Sequence, residues 1–401
     1  THTRLSGGTA GPNSSVDAIL LQPDAKVILG GRFTTYNGTS ASRIIGLNAD
    51  GSIDASFVTG GGFNSWDGYG VTQLARQTDG KIVVAGDFTT YNGAACSGLV
   101  RLTGAGVLDS AFTVGTGLYG IPGDMTLLAD GDVVVVGWIV SYAGAARSNF
   151  ARFNSDGTLD PAQVLRWGTP GGQVNAILPA PGGKWLVAGA FESVAGVATR
   201  NIVRLNADGG VDGTFATTDG PSGGEVRALA VQGDGRIIVG GYFTEFYVGA
   251  TPVPVGRLVR LNANGTLDPT FAVGNGFNSA VKTLAVQGDG RILVGGDFSS
   301  ANGIERRMLA RLSPDGSLDT GFVAGAVFGD GVHALAVQLD GKILVGGDLE
   351  YGAQGPVGNL ARLNADGSLD STFLIGTGVT NGEVEAILPQ PLSAPDWSAS
   401  T

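Results

Sequence analysis

The chain has one cysteine, Cys96, and two histidines, His2 and His333, among its 401 residues. A lone thiol excludes an internal disulfide and leaves the cellular compartment open. No His-Glu-x-x-His, Cys-x-x-Cys or phosphate-cradling Gly-Lys-Ser/Thr motif occurs, so no metal centre and no cofactor are expected. Charge is also sparse, at 15% of residues, with 24 Lys and Arg against 35 Asp and Glu and a net charge of -11. Phosphate backbones are held by clustered cations, so nucleic acid is not an expected partner. No apolar run reaches the roughly 18 residues of a spanning helix, and no membrane insertion is expected.

Glycine is abundant, at 69 residues, beside a hydrophobic fraction of 43%. That fraction is ordinary for a folded chain and too high for disorder. The glycines therefore mark turns. A chain of this length exceeds what one simple core supports, which leaves several domains or one domain built by repetition.

Repetition decides the matter. The cleanest unit runs from Val332-His333-Ala334-Leu335-Ala336-Val337-Gln338 through Asp340-Gly341-Lys342-Ile343-Leu344-Val345-Gly346-Gly347. A variable loop follows, then Ala361-Arg362-Leu363-Asn364-Ala365-Asp366-Gly367-Ser368-Leu369-Asp370 and Phe373. The second glycine of the Gly-Gly element recurs at Gly31, Gly86, Gly137, Gly189, Gly241, Gly296 and Gly347. The aspartate after the second Asp-Gly turn recurs at Asp54, Asp109, Asp160, Asp212, Asp268, Asp319 and Asp370. Two independent markers thus count the same seven units, starting near residues 16, 71, 122, 174, 226, 281 and 332.

Each unit reads as four short strands separated by turn residues, with no sustained helical period. Units of this length fit the antiparallel blades of a β-propeller. The all-β reading is therefore one propeller over residues 1–391, of seven blades, or eight if the terminal segments build a shared blade. An extra copy of the first strand, Val384-Glu385-Ala386-Ile387-Leu388, and a tail over 392–401 complete the division. Asn364-Ala365-Asp366-Gly367 predicts a type I turn with glycine at a left-handed bulge position. That geometry sets Arg362 opposite Asp370, and Arg101/Asp109, Arg152/Asp160, Arg204/Asp212, Arg260/Asp268 and Arg311/Asp319 repeat the pair. The first unit has Gly46 in place of the arginine.

The Leu-Asn-Ala-Asp-Gly-Ser-Leu-Asp-x-x-Phe signature, joined to Asp-Gly-Lys-Ile-x-Val-Gly-Gly, resembles the bacterial delta-60 repeat proteins. The likeness covers about residues 16–391. It implies a propeller-like fold and a place in a bacterial surface or secreted protein, and it carries over no catalytic residue. The first three units depart most from the pattern: Ala25 replaces a turn glycine, Gly104-Ala105-Gly106 replaces the usual turn, and Gln163 replaces the phenylalanine.

Antiparallel strands place connections alternately on two faces. The turns from first to second and from third to fourth strand are short and uniform. The connections from second to third strand, and between units, share the other face and vary in length, which suits binding. Two insertions there carry aromatics. One holds Trp66, Asp67 and Tyr69; the other holds Phe246 and Tyr247. Exposed aromatics suit sugar rings or protein contacts, and local packing is the plainer alternative. The second position of the first strand reads Asp17, Thr72, Gly123, Asn175, Arg227, Lys282 and His333 around the ring. Near the channel mouth these side chains would hold a polar ligand or form a self-compensating hydrated ring. Arg227, Lys282 and His333 join the two aromatic groups as candidate ligand-binding residues.

No catalytic residue is assigned. A Ser-His-Asp triad would have to use His2 or His333, and His333 fills a repeat slot. Asn364-x-Asp366-Gly367-x-x-Asp370 looks like a calcium loop, but Arg362 and Phe373 would fall at its first and last ligand positions, which excludes the EF-hand register. The expectation is a non-enzymatic, extracellular or surface-displayed module that binds a glycan or a protein through its variable face. A structural part of a surface layer, filament or virion fibre is the alternative. A hydrolase with acids at the channel mouth is a weaker one.

Overall fold

The computed structural model describes residues 12–372 apart from 25, 49–51, 116, 129, 143–144, 147–148, 161–171, 325–330, 339, 349–359 and 371. The strand expected at 384–388, the tail over 392–401 and Gln163 lie outside the described residues.

Seven antiparallel sheets follow one another along the chain. Their inner strands are Val16–Leu21, Val71–Arg76, Leu118–Leu127, Gln173–Ala180, Val226–Val231, Val281–Val286 and Gly331–Val337. Each inner strand pairs with a second strand, which pairs on its other side with a third; in the second blade these are Ile82–Gly86 and Leu99–Leu102. The β-branched runs that fill the second strands, such as Ile82-Val83-Val84, are buried on both faces because blades pack on either side. Inner strands of successive blades touch from the first blade to the seventh. Ala334, Ala336 and Leu344 of the last blade share a core with Val16, Ile19 and Leu29 of the first, which closes the ring at seven blades.

The turns form as their residues predict. In the last blade the Asn364 amide donates to Ser368 O at 2.8 Å and the Gly367 amide to Asn364 O at 2.9 Å. Gly367 has φ 94°, the left-handed conformation that closes a type I turn with a bulge. The fourth strand is shorter than expected. It amounts to one bridge pair per blade, such as Leu312 with Leu318 and Leu363 with Leu369. The cause is the recurring aspartate. Asp370 accepts from the Thr372 amide at 3.0 Å and the Thr372 hydroxyl at 2.6 Å, so the chain turns there instead of continuing the ladder.

That turn leads the phenylalanine inward, beneath the arginine predicted opposite the aspartate. Arg311 Nε donates to Asp319 at 2.8 Å, its guanidinium lies 4.4 Å from the Phe322 ring centroid, and its Nη1 donates to Ala365 O of the next blade at 2.6 Å. Arg101, Arg204 and Arg260 repeat all three contacts. One side chain thus fixes its own hairpin, a core ring and the neighbouring blade. A lysine from the first turn adds a second cation to several of these aspartates, as Lys184 does to Asp212 at 2.7 Å. Desolvation opposes ionisation of Asp212, yet hydrogen bonds from Lys184, Thr214 and Arg204 outweigh it and hold the carboxyl below its usual range.

The exceptions have local causes. At Gly46 a Cβ would sit 2.6 Å from Phe57 Cβ, so the first blade has no room for the arginine. In the third blade Asp132 occupies the lysine slot. Arg152 turns to it at 2.9 Å, stays 3.6 Å from Asp160, and lies over Trp185 of the next blade at 5.6 Å.

Candidate functional site

The face carrying the variable connections is built on a bulge repeated in every blade. The register between inner and second strand slips at the same place in every blade, between Val16 and Ala18 in the first and between Val332 and Ala334 in the last, and the third blade slips again between Tyr119 and Gly120. The skipped residues are Asp17, Thr72, Gly123, Asn175, Arg227, Lys282 and His333. The seven positions singled out as a ring are therefore the extra residues of seven β-bulges, which re-aim side chains at the rim. The bulge also explains the second glycine. A Cβ on Gly86 would lie 2.0 Å from Gly70 O, and one on Gly296 2.0 Å from Ala280 O.

Between the second and third strands of a blade, short hairpins stand on this face. Tyr-Asn-Gly turns such as Tyr36-Asn37-Gly38 and Tyr91-Asn92-Gly93 put both central residues at positive φ, with Asn92 at 51° and Gly93 at 79°. These are type I′ hairpins. The preceding connection pins each one: Asn64 Oδ1 accepts from the Thr89 and Thr90 amides, both at 2.8 Å, and Asn13 and Asn278 do the same in their blades.

The insertion after Asn64 is an ordered loop. The buried Asp87 carboxylate accepts from the Ser65 hydroxyl at 2.7 Å, from the Asp67 and Tyr69 amides at 3.0 and 3.1 Å, and from the Gly70 amide. A backbone cradle of this kind fixes the loop and turns Trp66 outward, where it is 48% exposed. Tyr69 lies under the Arg32 guanidinium at 4.9 Å, and Arg32 bonds Asp17 at 3.1 Å. Trp66 stacks on Tyr119 of the third blade, with centroids 5.4 Å apart and an interplanar angle of 18°.

The third blade supplies more of the same surface. Its inner and second strands, Leu118–Leu127 and Val133–Tyr142, are ten residues each and extend on the variable face. Ile121 pairs with Trp138 and Tyr119 with Ser141, across a bulge between Tyr119 and Gly120, so the Tyr119 and Trp138 rings stand on the same extended hairpin. Both are open to solvent, at 53% and 56%. The sequence reading missed Tyr119, Trp138 and Tyr242. Aligning repeat slots finds them: Tyr119 stands where other blades have the pinning Asn64 or Asn278, and Trp138 and Tyr242 stand where others have Asp87 or Asp297.

The other candidates lie farther round the ring. Lys282 sits between Asp297 at 2.8 Å and His333 Nε2 at 2.9 Å, so Lys282 and His333 do come together. Arg227 is apart from them, 3.8 Å from Glu225, which accepts from Asn175 at 3.0 Å. Tyr247 is half-buried under the Arg200 guanidinium at 4.0 Å, beside an open groove of about 1180 Å³ between the fourth and fifth blades. Phe246 is corrected: it is fully buried, in the core slot held by Tyr91 in the second blade, and its ring reaches no ligand. Among the described residues no group of three metal-ligating side chains occurs. No helix there is long and apolar enough to cross a membrane.

Seven radial sheets around a channel define a β-propeller repeat protein. Residues 22–57, 77–112, 128–162, 181–215, 232–271, 287–322 and 338–373 match the family described as domain of unknown function (DUF5122) beta-propeller, and the chain belongs to that family. No curated protein matches the sequence. Among solved structures it is similar to the WD40 beta propeller domain of Doa1, at 16% identity and TM-score 0.50, over 89% of this chain and 95% of that one. It is similar also to virginiamycin B lyase from Staphylococcus aureus, at 12% identity and TM-score 0.45, over 83% of this chain and 92% of that one. The extracellular domain of a one component system from B. thetaiotaomicron aligns at 12% identity and TM-score 0.41, over 87% of this chain and 38% of that one. These likenesses concern the fold.

Proposed function

We propose that this chain is a non-catalytic binding propeller, displayed outside a bacterial cell, that takes a glycan or a protein on the variable face above its first three blades. The extracellular place follows from the resemblance to surface repeat proteins. The observation that carries the binding role is the aromatic shelf of Trp66, Tyr119 and Trp138. Tyr91 and Tyr142 are packed inside, whereas Tyr242, in the fifth blade's copy of the Trp138 slot, is exposed as well. Leaving a large ring in water forgoes about 1.5–3 kcal/mol of burial. Three such rings on one face, with Tyr119 in the slot of Asn64 and Asn278 and Trp138 in that of Asp87 and Asp297, support recognition of a partner with apolar surface.

The carboxylates at the channel mouth support binding over acid–base chemistry. Asp17 is paired with Arg32, Asp87 with the loop amides, Glu225 with Asn175 and Asp297 with Lys282. A glycan and protein array with the purified chain tests the reading. Saturable binding lost in Trp66→Ala/Trp138→Ala is the expected result. Binding that survives the double substitution, or turnover of a substrate abolished by Asp17→Asn, would remove it.

A further inference from the structure

Beside the shelf lies a small pocket of about 250 Å³ lined by Arg32, Asp67, Gly68 and Tyr69. We infer that this pocket is the primary subsite of the same face and takes one terminal, uncharged pyranose ring of a glycan. The inference rests on the binding role of the shelf and adds the ligand class and the residues that select it.

Size is the first argument. The depression is open and falls under the roughly 300–1,000 Å³ of pockets for drug-sized ligands, a size that suits one ring better than several. The walls are the second. Asp67 is exposed, and its carboxylate has no hydrogen-bond partner among the described residues, while its amide is tied to Asp87. A carboxylate on a backbone held by Asp87, beside a guanidinium, offers an acceptor and planar donors to adjacent hydroxyls. Trp66 is not in the lining, but it is next in the chain to Asp67 and exposed, and it offers a flat apolar surface to a ligand that extends beyond the pocket. Gly68 has φ 94° with nothing within 4 Å of a built Cβ, so the loop turns there without narrowing the pocket.

Charge is the third argument and it sets the class. Arg32 is already paired with Asp17, so it brings no net positive charge. Asp67 lines the opening, and Asp87 lies buried behind the same loop, on a chain of net charge -11. With Arg32 balanced by Asp17, the exposed Asp67 leaves the opening net negative, which disfavours an anionic sugar. The loop is pre-built by Asp87, so a ligand meets an ordered wall and orders little itself.

Saturation-transfer NMR with the full chain and a panel of methyl glycosides tests this. The panel holds methyl glucoside, galactoside, mannoside and N-acetylglucosaminide, with methyl glucuronide and sialyllactose as anionic members. At least one neutral glycoside should bind, with strongest transfer to its apolar-face protons, and the anionic members should not. Asp67→Asn, an exposed isosteric change, should weaken that binding about tenfold, the loss of a charge-assisted pair, with the melting temperature unchanged. Preference for the anionic members, or tighter binding of them alone, would overturn the assignment. Neutral binding lost in Trp66→Ala/Trp138→Ala but untouched by Asp67→Asn would keep the shelf and remove the pocket. Protein partners on the array with no glycoside bound would keep the binding role and remove the sugar.

Discussion

The two faces of the ring are made from the same seven repeats and treat their side chains in opposite ways. On the turn face each arginine is spent inside the fold: Arg260 bonds Asp268 at 2.8 Å and Pro314 O of the next blade at 2.6 Å, and is itself buried. On the variable face the slot after the second glycine holds Arg32, Asp87, Trp138, Ala190, Tyr242, Asp297 and Asp348, five residue types in seven blades. One face repeats because every blade must be fixed to its neighbour in the same way. The other differs because the bulge holds its backbone whatever the side chain is. Stability and recognition are thus kept on separate surfaces.

Breaking the shared frame should have the largest effect. Gly86→Val puts a side chain 2.0 Å from the Gly70 carbonyl. We expect a loss of at least about 3 kcal/mol in denaturant unfolding, since backbone must move to relieve the overlap. On the turn face, Arg260→Ala strips a buried aspartate of its main partner, and about 3 kcal/mol of destabilisation is expected by the same assay.

Acid sharpens the comparison. Asp54, Asp109, Asp212, Asp268, Asp319 and Asp370 all ionise below their ordinary range. For Asp370 the leading cause is the Thr372 hydroxyl, followed by Lys342. A depressed carboxyl stabilises the fold above its unfolded value near pH 4 and loses that contribution as pH falls further. Melting temperature should therefore drop steeply below pH 4.

Asp124 has the opposite sign. It lines the channel of the third blade and accepts from the Ile177 amide of the fourth at 2.9 Å; burial pushes its carboxyl up to about 6. A raised carboxyl favours the fold below its unfolded value and loses that advantage as pH rises through about 6. Asp124→Asn should thus gain about 1 kcal/mol at pH 8 and little or nothing at pH 4. The smallest effect belongs to the shelf. Trp66→Ala and Trp138→Ala remove exposed rings, so each should shift unfolding by less than about 0.5 kcal/mol. A larger shift would mean that the shelf is part of the fold.

Much of this was legible in the repeat. The seven units, the turn with glycine at its bulge and the Arg–Asp pairs all follow from residues with one dominant use. The fourth strand was overread because Ser-Leu-Asp alternates as a strand does, while the aspartate prefers to bond its own backbone two residues on. The second position of the inner strand was read as a channel ring; the residues skipped in the pairing make it a bulge, which no single repeat reveals. Phe246 was misplaced because an insertion around it hid its alignment with Tyr91. Trp138 and Tyr119 were passed over because they lie in strands, where an aromatic looks like core until its slot is compared with Asp87 and Asn64.

The most direct test is hydrogen exchange across the whole chain, with and without a saturating glycan taken from the array. New protection confined to residues 31–33, 65–70, 118–122 and 137–142 is the predicted result, since those segments carry the pocket and the shelf. Protection on the third-to-fourth-strand turns, such as 154–158 or 313–317, would place recognition on the regular face and contradict the separation of the two surfaces.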